Sequence, residues 1–576
     1  MSIPERVDAL VIGGGINGLG IAAAAAERGL SVLLVEKGDF GGATTAASSR
    51  LIHGGLRYLQ YGELGLVRES LRERGILARR RPHLVEPIQL LIPAFRGSRP
   101  PAWQIAAGLG LYALLARDPL FPLPNALSAR AAREREPGLA ADGLLGGFLY
   151  PDAQVEFPER ICVELYRELC AAGGTGANYS QVVGLLRSGD HVCGARVRQV
   201  LDGRESEVRA AVTVNAAGPW VDCVNALLPA PPPRLVGGVW GTHLVLPRRP
   251  EGPHSPLYVA ARRDGRPVFV LPWDGRLLIG TTEVRFDGDP DQVVSEAWEV
   301  EYLLEEINHL FPACRYEVGD IEFTTAGVRP LPAVQAPHAA GRGTVGVDSR
   351  TWPETNATAG QARGPATVGR SPAAVTRRHF LVDHGPAHGV PGLASVVGGK
   401  LTTYRSLAQG VVDWMERWLQ RADGRTAKPD GGPKNNHESR PLLPATGHTR
   451  LEDTPHPRSH NHLGPSVSPT ACASARLERI YGPYAPEIFA LIHARPELGR
   501  PLTPNCPALA AEVVHAVRRE AARTADDVAR RRLMLLPPKP EWLAEIQIWL
   551  DRLEGDRGKP AGGEKQAATS DRARPS

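Results

Sequence analysis

The sequence predicts a mixed α/β fold, and three observations carry that prediction. The first is a strand–glycine turn–helix–strand unit within the opening forty residues. The second is another strand–glycine–helix unit far along the chain, at Gly398-Gly399. The third is a set of strand-like runs between them: Thr242–Pro247, Pro267–Trp273 and Arg276–Thr282. Turn residues separate these runs, which suggests an antiparallel sheet inserted between the two glycine units.

The opening unit starts with Val7–Ile12, apolar and rich in β-branched residues. Gly13, Gly15 and Gly18 follow at G-x-G-x-x-G spacing. Ile21–Arg28 reads as helix, Gly29 ends it, and Ser31–Glu36 reads as a second buried strand. Such glycines permit a tight turn, close approach of backbone to a pyrophosphate, and close packing of helix on strand. The helix N-terminus offers free N–H groups and a positive dipole end to phosphate. Glu36 closes the second strand, where a carboxylate can accept from ribose hydroxyls. A glycine turn alone is weak evidence. Both strands, the helix and the terminal acid together point to a dinucleotide.

The totals set bounds. A chain of 576 residues can bury several cores, and 42% hydrophobic with 22% charged residues describes a globular protein. A net charge of +5 is too mild to argue for nucleic acid, and suits an anionic small substrate or an anionic membrane surface. The seven cysteines are scattered with no C-x-x-C, which fits a reducing compartment. Met1–Leu10 has no signal-peptide pattern, and no apolar run approaches the ~18 residues of a membrane span.

Beyond Glu36, small and hydroxylic residues fill Gly41–Ser49, and His53, Arg57 and Tyr58 follow in quick succession. This is either a plain loop entering a helix or a segment running along the cofactor. Leu66–Arg81 looks helical and basic, with Arg68, Arg72, Arg74, Arg79, Arg80 and Arg81, and reads as a solvated face. Ile105–Ala116 is a short apolar stretch flanked by Arg96, Arg99 and Trp103. It is either a buried helix or an interfacial anchor, whose marks are an apolar face with Trp and basic flanks. Glu156–Ala172 reads as helix, Val192–Val200 as strand, and Val212–Asn215 as a buried strand ending in the small-residue turn Ala216–Pro219. Ser295–Leu310 reads as helix. Ala333–Arg370 loses all periodicity and reads as a disordered or surface insertion, dispensable for chemistry. Arg421–Pro469 reads as a linker. Its histidines, His437, His448, His456, His460 and His462, match no standard ligand spacing, so no metal is expected.

Several blocks resemble one family, in that family's order. "IGGGINGLGIAAAAAERG" (Ile12–Gly29) and "GGKLTTYRSLA" (Gly398–Ala408) resemble the two signatures of FAD-dependent, aerobic-type glycerol-3-phosphate dehydrogenases. "ASSRLIHGGLRYL", "NAAGPWVD", "VFVLPWDGRLLIGTTE" and "AGVRPL" look like further blocks of it, and the resemblance covers most of Val7–Gln409. Departures are Leu19, Ala24, Glu283 in place of the more usual Asp, and Trp240 near where the family has a lysine.

The resemblance implies a Rossmann-like FAD-binding domain in three segments, 1–90, 151–232 and 325–420. An antiparallel substrate cap at 233–324 and a cap or membrane-facing segment at 91–150 interrupt it. A linker (421–470), a small helical domain (471–555) and a disordered tail (556–576) follow. It also implies oxidation of sn-glycerol 3-phosphate to dihydroxyacetone phosphate. Hydride passes to FAD and electrons to a membrane quinone, with the chain held peripherally on the inner face of the cytoplasmic membrane. Non-covalent FAD is expected, contacted by Gly13, Gly15, Ile16, Asn17, Gly18, Glu36, Lys37, Thr44, Ser48, Ser49, Leu51, Ala217, Gly218, Gly399, Lys400, Leu401 and Thr402.

A phosphomonoester wants a cation cluster, which Arg57, Arg377 and Lys400 supply if the fold gathers them, with Tyr58 beside them. Alcohol oxidation needs a base, for which His53 and His243 are both candidates. Arg329 could stabilise the developing alkoxide, and Thr281 could bond the same hydroxyl. An oxidase that hands electrons to oxygen, or a related FAD-dependent amine or amino-acid oxidoreductase, stays open as an alternative. A homodimer is left open too.

Overall fold

The strand Arg6–Ile12 is buried along nearly its whole length, as a parallel strand covered on both faces must be. In the computed structural model, which describes residues 3–333, 344–345, 377–422 and 469–557, it lies at the centre of a parallel array. Leu393–Val397, Glu205–Asn215, Arg6–Ile12, Val32–Val35 and Thr175–Ala177 are neighbours in that order, all parallel. The register pairs Ile12 with Asn215 and Asn215 with Ser395. Three strands thus end together at one edge, where ligands bind in open parallel sheets. The helix Ile16–Glu27 packs between Pro158–Ala171 and Tyr404–Ala422. A Cβ on Gly20 would sit 2.8 Å from the Tyr404 ring, so the small residue permits that packing.

The second sheet is built on the long strand Val236–Pro247. Arg276–Gly280 and Phe323–Pro332 pair with it antiparallel, and Pro267–Trp273 and Leu257–Ala260 continue outward. The sheet runs on through Val85–Phe95 and Leu144–Val155 to Leu51–Ile52. Residues from the segments 1–90, 91–150 and 233–324 therefore share one sheet. The helix Ala297–Leu310 covers a face of it, packing Tyr302, Leu303, Ile307 and Leu310 into a core with Leu244, Leu246 and Ile279.

Two features of the basic region differ from the sequence reading. The helix Leu64–Arg80 is no solvated face throughout. Arg74 is fully buried, donating from Nη1 to Asp152 Oδ1 at 2.8 Å and to the Pro151 carbonyl at 2.7 Å. Arg81 is buried against Glu164 and Glu168. Carboxylates from Leu144–Val155 and Pro158–Ala171 draw these guanidiniums inward. The apolar helix Ala102–Ala116 buries only Leu109 and Tyr112, and leaves Trp103 73% and Leu114 58% exposed. Among the described residues no helix is long and apolar enough to cross a membrane.

The chain divides into two compact units, Met1–Ala485 and Pro486–Ser576. The helix Pro469–Tyr481 belongs to the first, where Arg479 pairs with Glu156. The second unit is helical, with Val513, Val514, Ile546 and Leu550 buried on Ala510–Arg519 and Pro540–Arg557. Apart from a few edge residues, the expectations for Ala333–Arg370, for the linker with its histidines, and for the tail lie outside the described residues.

Candidate active site

Three glycine-bearing turns meet at the shared strand edge. Gly13 has φ +110°, and a Cβ there would lie 2.6 Å from the Ala216 carbonyl oxygen. A Cβ on Gly18 would collide with Gly13 O at 1.9 Å. These positions tolerate glycine alone, as the fingerprint requires. Gly398 and Gly399 both have positive φ, and Asn17 Nδ2 reaches the Gly398 carbonyl at 3.4 Å. Asn17 Oδ1 is buried without a partner. Glu36 accepts from Gly14 N at 2.6 Å and Gly38 N at 2.8 Å. Burial raises its pKa, opposed by those N–H groups. Turn, acid and unpaired acceptor form a cradle of the shape and polarity that a dinucleotide needs.

Beside the cradle, residues from distant parts of the chain converge. His243 and Gly280 are opposite each other in register, and Thr281 follows. Arg329 sits opposite Val239 on the other flank of the same strand. Its Nη2 donates to Thr281 Oγ1 at 2.9 Å, while its buried Nη1 has no partner. His243 Nε2 and Ser49 Oγ share a hydrogen bond of 2.8 Å. Burial, then the charge of Arg329, pushes the His243 pKa down to about 3, so the ring is neutral at pH 7. Burial, then Arg377, brings Arg329 down to about 10, which still leaves it charged.

A cation cluster adjoins this group. Arg377 ion-pairs with Glu283, whose other oxygen lies 3.8 Å from Arg57 Nη1. Burial raises the Glu283 pKa, but Arg377, Arg329 and Arg57 outweigh it and the net shift is down. Lys400 Nζ lies 3.9 Å from the centre of the Tyr58 ring and donates to Ser70 Oγ at 3.1 Å. Burial drives the Lys400 pKa down to about 7.

With that geometry in view, the comparisons with known proteins are specific. The FAD dependent oxidoreductase family model matches residues 8–405, and the model of the C-terminal domain of alpha-glycerophosphate oxidase matches residues 454–545. A glycerol-3-phosphate dehydrogenase of Synechocystis sp. is 38% identical over 536 residues, spanning 91% of this chain and 88% of the relative. The chain belongs to the FAD-dependent glycerol-3-phosphate dehydrogenase family. An aerobic glycerol-3-phosphate dehydrogenase of Staphylococcus aureus is 30% identical over 426 residues, spanning 74% of this chain and 70% of the relative. The glycerol-3-phosphate dehydrogenase from Bacillus halodurans, solved with FAD, shares the fold at a TM-score of 0.65 and 21% identity, covering 96% of this chain and 91% of that one. The L-alpha-glycerophosphate oxidase of Mycoplasma pneumoniae, also with FAD bound, aligns at a TM-score of 0.53 and 17% identity, covering 72% and 95%. The mixed α/β fold and the FAD cofactor of this family member are thus those implied by its motifs.

Other predicted site residues of this dehydrogenase-family chain have specific places. Lys37 turns to Asp291 at 2.6 Å and lies over the Trp220 ring. Thr44 donates to the Val328 carbonyl at 2.7 Å, and Ser48 Oγ accepts from Arg50 N at 3.4 Å. Leu51 is buried in its short strand. Ile16 N donates to Thr45 Oγ1 at 3.3 Å. Gly15, Ala217 and Gly218 lie in the turns at the strand edge, and Leu401 follows Lys400 after the Gly398–Gly399 turn. Thr402 Oγ1 accepts from His53 N at 3.1 Å. Burial, with Lys400 and Arg74, pushes His53 down to about 3. Trp240 donates to buried Glu299 at 3.0 Å, together with the Thr242 and Thr282 hydroxyls, so the position holds a neutral donor to an acid. Sequence reasoning missed Ser70 as the partner of Lys400 and Ser49 as the partner of His243. Hydroxyls on a helix and in a small-residue loop carry no distinguishing signal.

Proposed function

We propose that this chain oxidises sn-glycerol 3-phosphate at its secondary hydroxyl to dihydroxyacetone phosphate, and that its electrons leave to a membrane quinone. The convergence of Arg57, Arg329 and Arg377 beside His243 and Thr281 carries this reading. Arg57 and Arg377 come from separate stretches and share one carboxylate, which fits a doubly charged phosphate, while Arg329 faces the same carboxylate from beside Thr281. In this reading the glycine turns, Asn17 and Glu36 hold FAD, which supplies a two-electron acceptor for hydride when bound. Arg57, Arg377 and Lys400 bind the phosphate, with Tyr58 lining their side. His243 takes the hydroxyl proton, oriented by Ser49, because it clusters with Arg329 and Thr281 whereas His53 faces Lys400. Arg329 directs Nη1 to the developing alkoxide.

The exposed apolar helix Ala102–Ala116 is the proposed seat on the inner face of the cytoplasmic membrane, with Arg99, Trp103 and Arg117 at its ends. The test is anaerobic addition of glycerol 3-phosphate to the purified flavoprotein. Bleaching of the flavin band is expected, and an unchanged spectrum would sink the reading. The match to an oxidase C-terminal domain favours a second reading, in which oxygen takes the electrons. An oxygen electrode decides between them: peroxide formation at rates matching quinone reduction would favour the oxidase.

A further inference from the structure

Glu283 stands where the proposed function needs an anion to bind. Its carboxylate is 12% exposed and reaches two guanidiniums at once, Arg377 through one oxygen and Arg57 at 3.8 Å through the other. Arg329 and Tyr58 face the same group. Guanidinium presents a planar fork that a carboxylate and a phosphate grip in the same way. A phosphomonoester entering this cluster therefore meets an acceptor already seated on the Arg377 fork. Glu283 is also tethered to the turn that carries Thr281, so its reach into the cluster is set by the end of the strand Arg276–Gly280.

We propose that Glu283 is a built-in competitor for the phosphate of the substrate. Any dianion must displace its carboxylate from Arg377 before using that fork. The cost falls on ester, product and inorganic anion alike. A substrate that also engages Thr281, His243 and Arg329 recovers it, while free phosphate or sulfate has only the cation cluster and stays weakly bound. The product carries the same phosphate, so the returning carboxylate also assists its departure. This inference rests on the phosphate assignment made above.

The test compares wild-type holoenzyme with Glu283→Gln and Glu283→Asp, each first checked for equal flavin content. Sulfate binding is measured by calorimetry and KM by flavin reduction with glycerol 3-phosphate. In Glu283→Gln both the sulfate Kd and the KM are expected to fall about tenfold, the scale of one charged hydrogen bond no longer displaced. Glu283→Asp keeps the charge but shortens its reach, and should lie between. A Kd and KM that rise or stay put in Glu283→Gln would overturn the proposal, leaving Glu283 as a positioning residue for Arg377. If wild type is not reduced by glycerol 3-phosphate while Glu283→Gln binds sulfate more tightly, the competitor role stands and the substrate assignment falls. Should Glu283→Gln lose its flavin, Glu283→Asp alone decides, and sulfate bound no tighter than by wild type overturns the idea.

Discussion

Two sets of arginines in this chain, one buried and one half-buried, are wired differently. In the first, every guanidinium has its own acid: Arg74 with Asp152, Arg50 with Glu159, Arg81 with Glu164 and Glu168. In the second, Arg57, Arg329 and Arg377 share Glu283, and Lys400 adds a further cation within range of Arg377. Charge matched inside the protein leaves no demand for a ligand. Charge left in excess within reach of solvent asks for an external anion, and that asymmetry distinguishes a binding site from a structural network better than the count of arginines does.

The harshest way to test the distinction is to break the matched set. Asp152→Ala strands the fully buried Arg74 and also removes the acceptor of Tyr112 OH, at 2.8 Å, and one of the two acceptors of Gly54 N, at 3.2 Å. Loss of one partner of a buried ion pair costs about 3–5 kcal/mol. Urea unfolding of the first unit should shift by that amount, and added glycerol 3-phosphate should not restore the wild-type midpoint. Cutting into the unmatched set should do the reverse, lowering activity while sparing stability. Removing a charged hydrogen bond to the phosphate costs roughly 1.5–3 kcal/mol, about 10- to 150-fold in kcat/KM. Lys400→Ala should show this with glycerol 3-phosphate and hardly with glycerol, whereas Arg329→Ala should lower kcat for both. Stopped-flow flavin reduction across the two variants and two alcohols reads the result. Equal losses on both alcohols for Lys400→Ala would remove it from the phosphate site.

The unmatched set should also respond to pH. Burial has brought Lys400 down to about 7, so it is charged below that value and neutral above it. A bound dianion favours the charged form and raises the pKa. The contribution of Lys400 to binding is therefore full below pH 7 and is lost as pH rises through the raised value of the complex. KM for glycerol 3-phosphate should climb above pH 7, and Lys400→Ala should flatten that limb. His243, at about 3, stays neutral throughout and should add no acid limb near its ordinary pKa of ~6.5. A limb at that pH surviving in Lys400→Ala would place a different base in the reaction.

How much of this was legible in the sequence follows from the range of each interaction. The glycine turn, its helix and the strand leading to Glu36 act within one short segment and are all present, with the helix starting at Ile16 rather than Ile21. The inserted sheet was legible where strand-like runs stand between turn residues, in Thr242–Pro247, Pro267–Trp273 and Arg276–Thr282. Its extension through Val85–Phe95 and Leu144–Val155 was not, since prolines and the pair Gly146-Gly147 lie inside those strands and read as turns. The burial of Arg74 was hidden because Asp152, 78 positions away, has no local signature. Pairing of Arg377 with Glu283 across 94 positions was hidden for the same reason.

The smallest expected effect concerns the surface that the matched set anchors. Tyr112 ties the apolar helix Ala102–Ala116 to Asp152, and Leu109 faces inward beside it. Exposed apolar area is left at Trp103, Leu111 and Leu114, next to the basic ends. Trp103→Ser with Leu114→Ser removes exposed apolar area without touching the buried network, so unfolding and flavin reduction in solution should stay near wild type. Flotation with anionic liposomes should fall several-fold at low salt. Wild-type flotation should itself weaken as salt rises, because charge attraction at the basic ends is screened beyond about 10 Å at 0.1 M. If the double variant floats as wild type does, this helix is not the membrane contact. If it floats less but also loses flavin reduction, the helix supports the turn that carries Arg57 and Tyr58, and the separation drawn between the two arginine sets is too sharp.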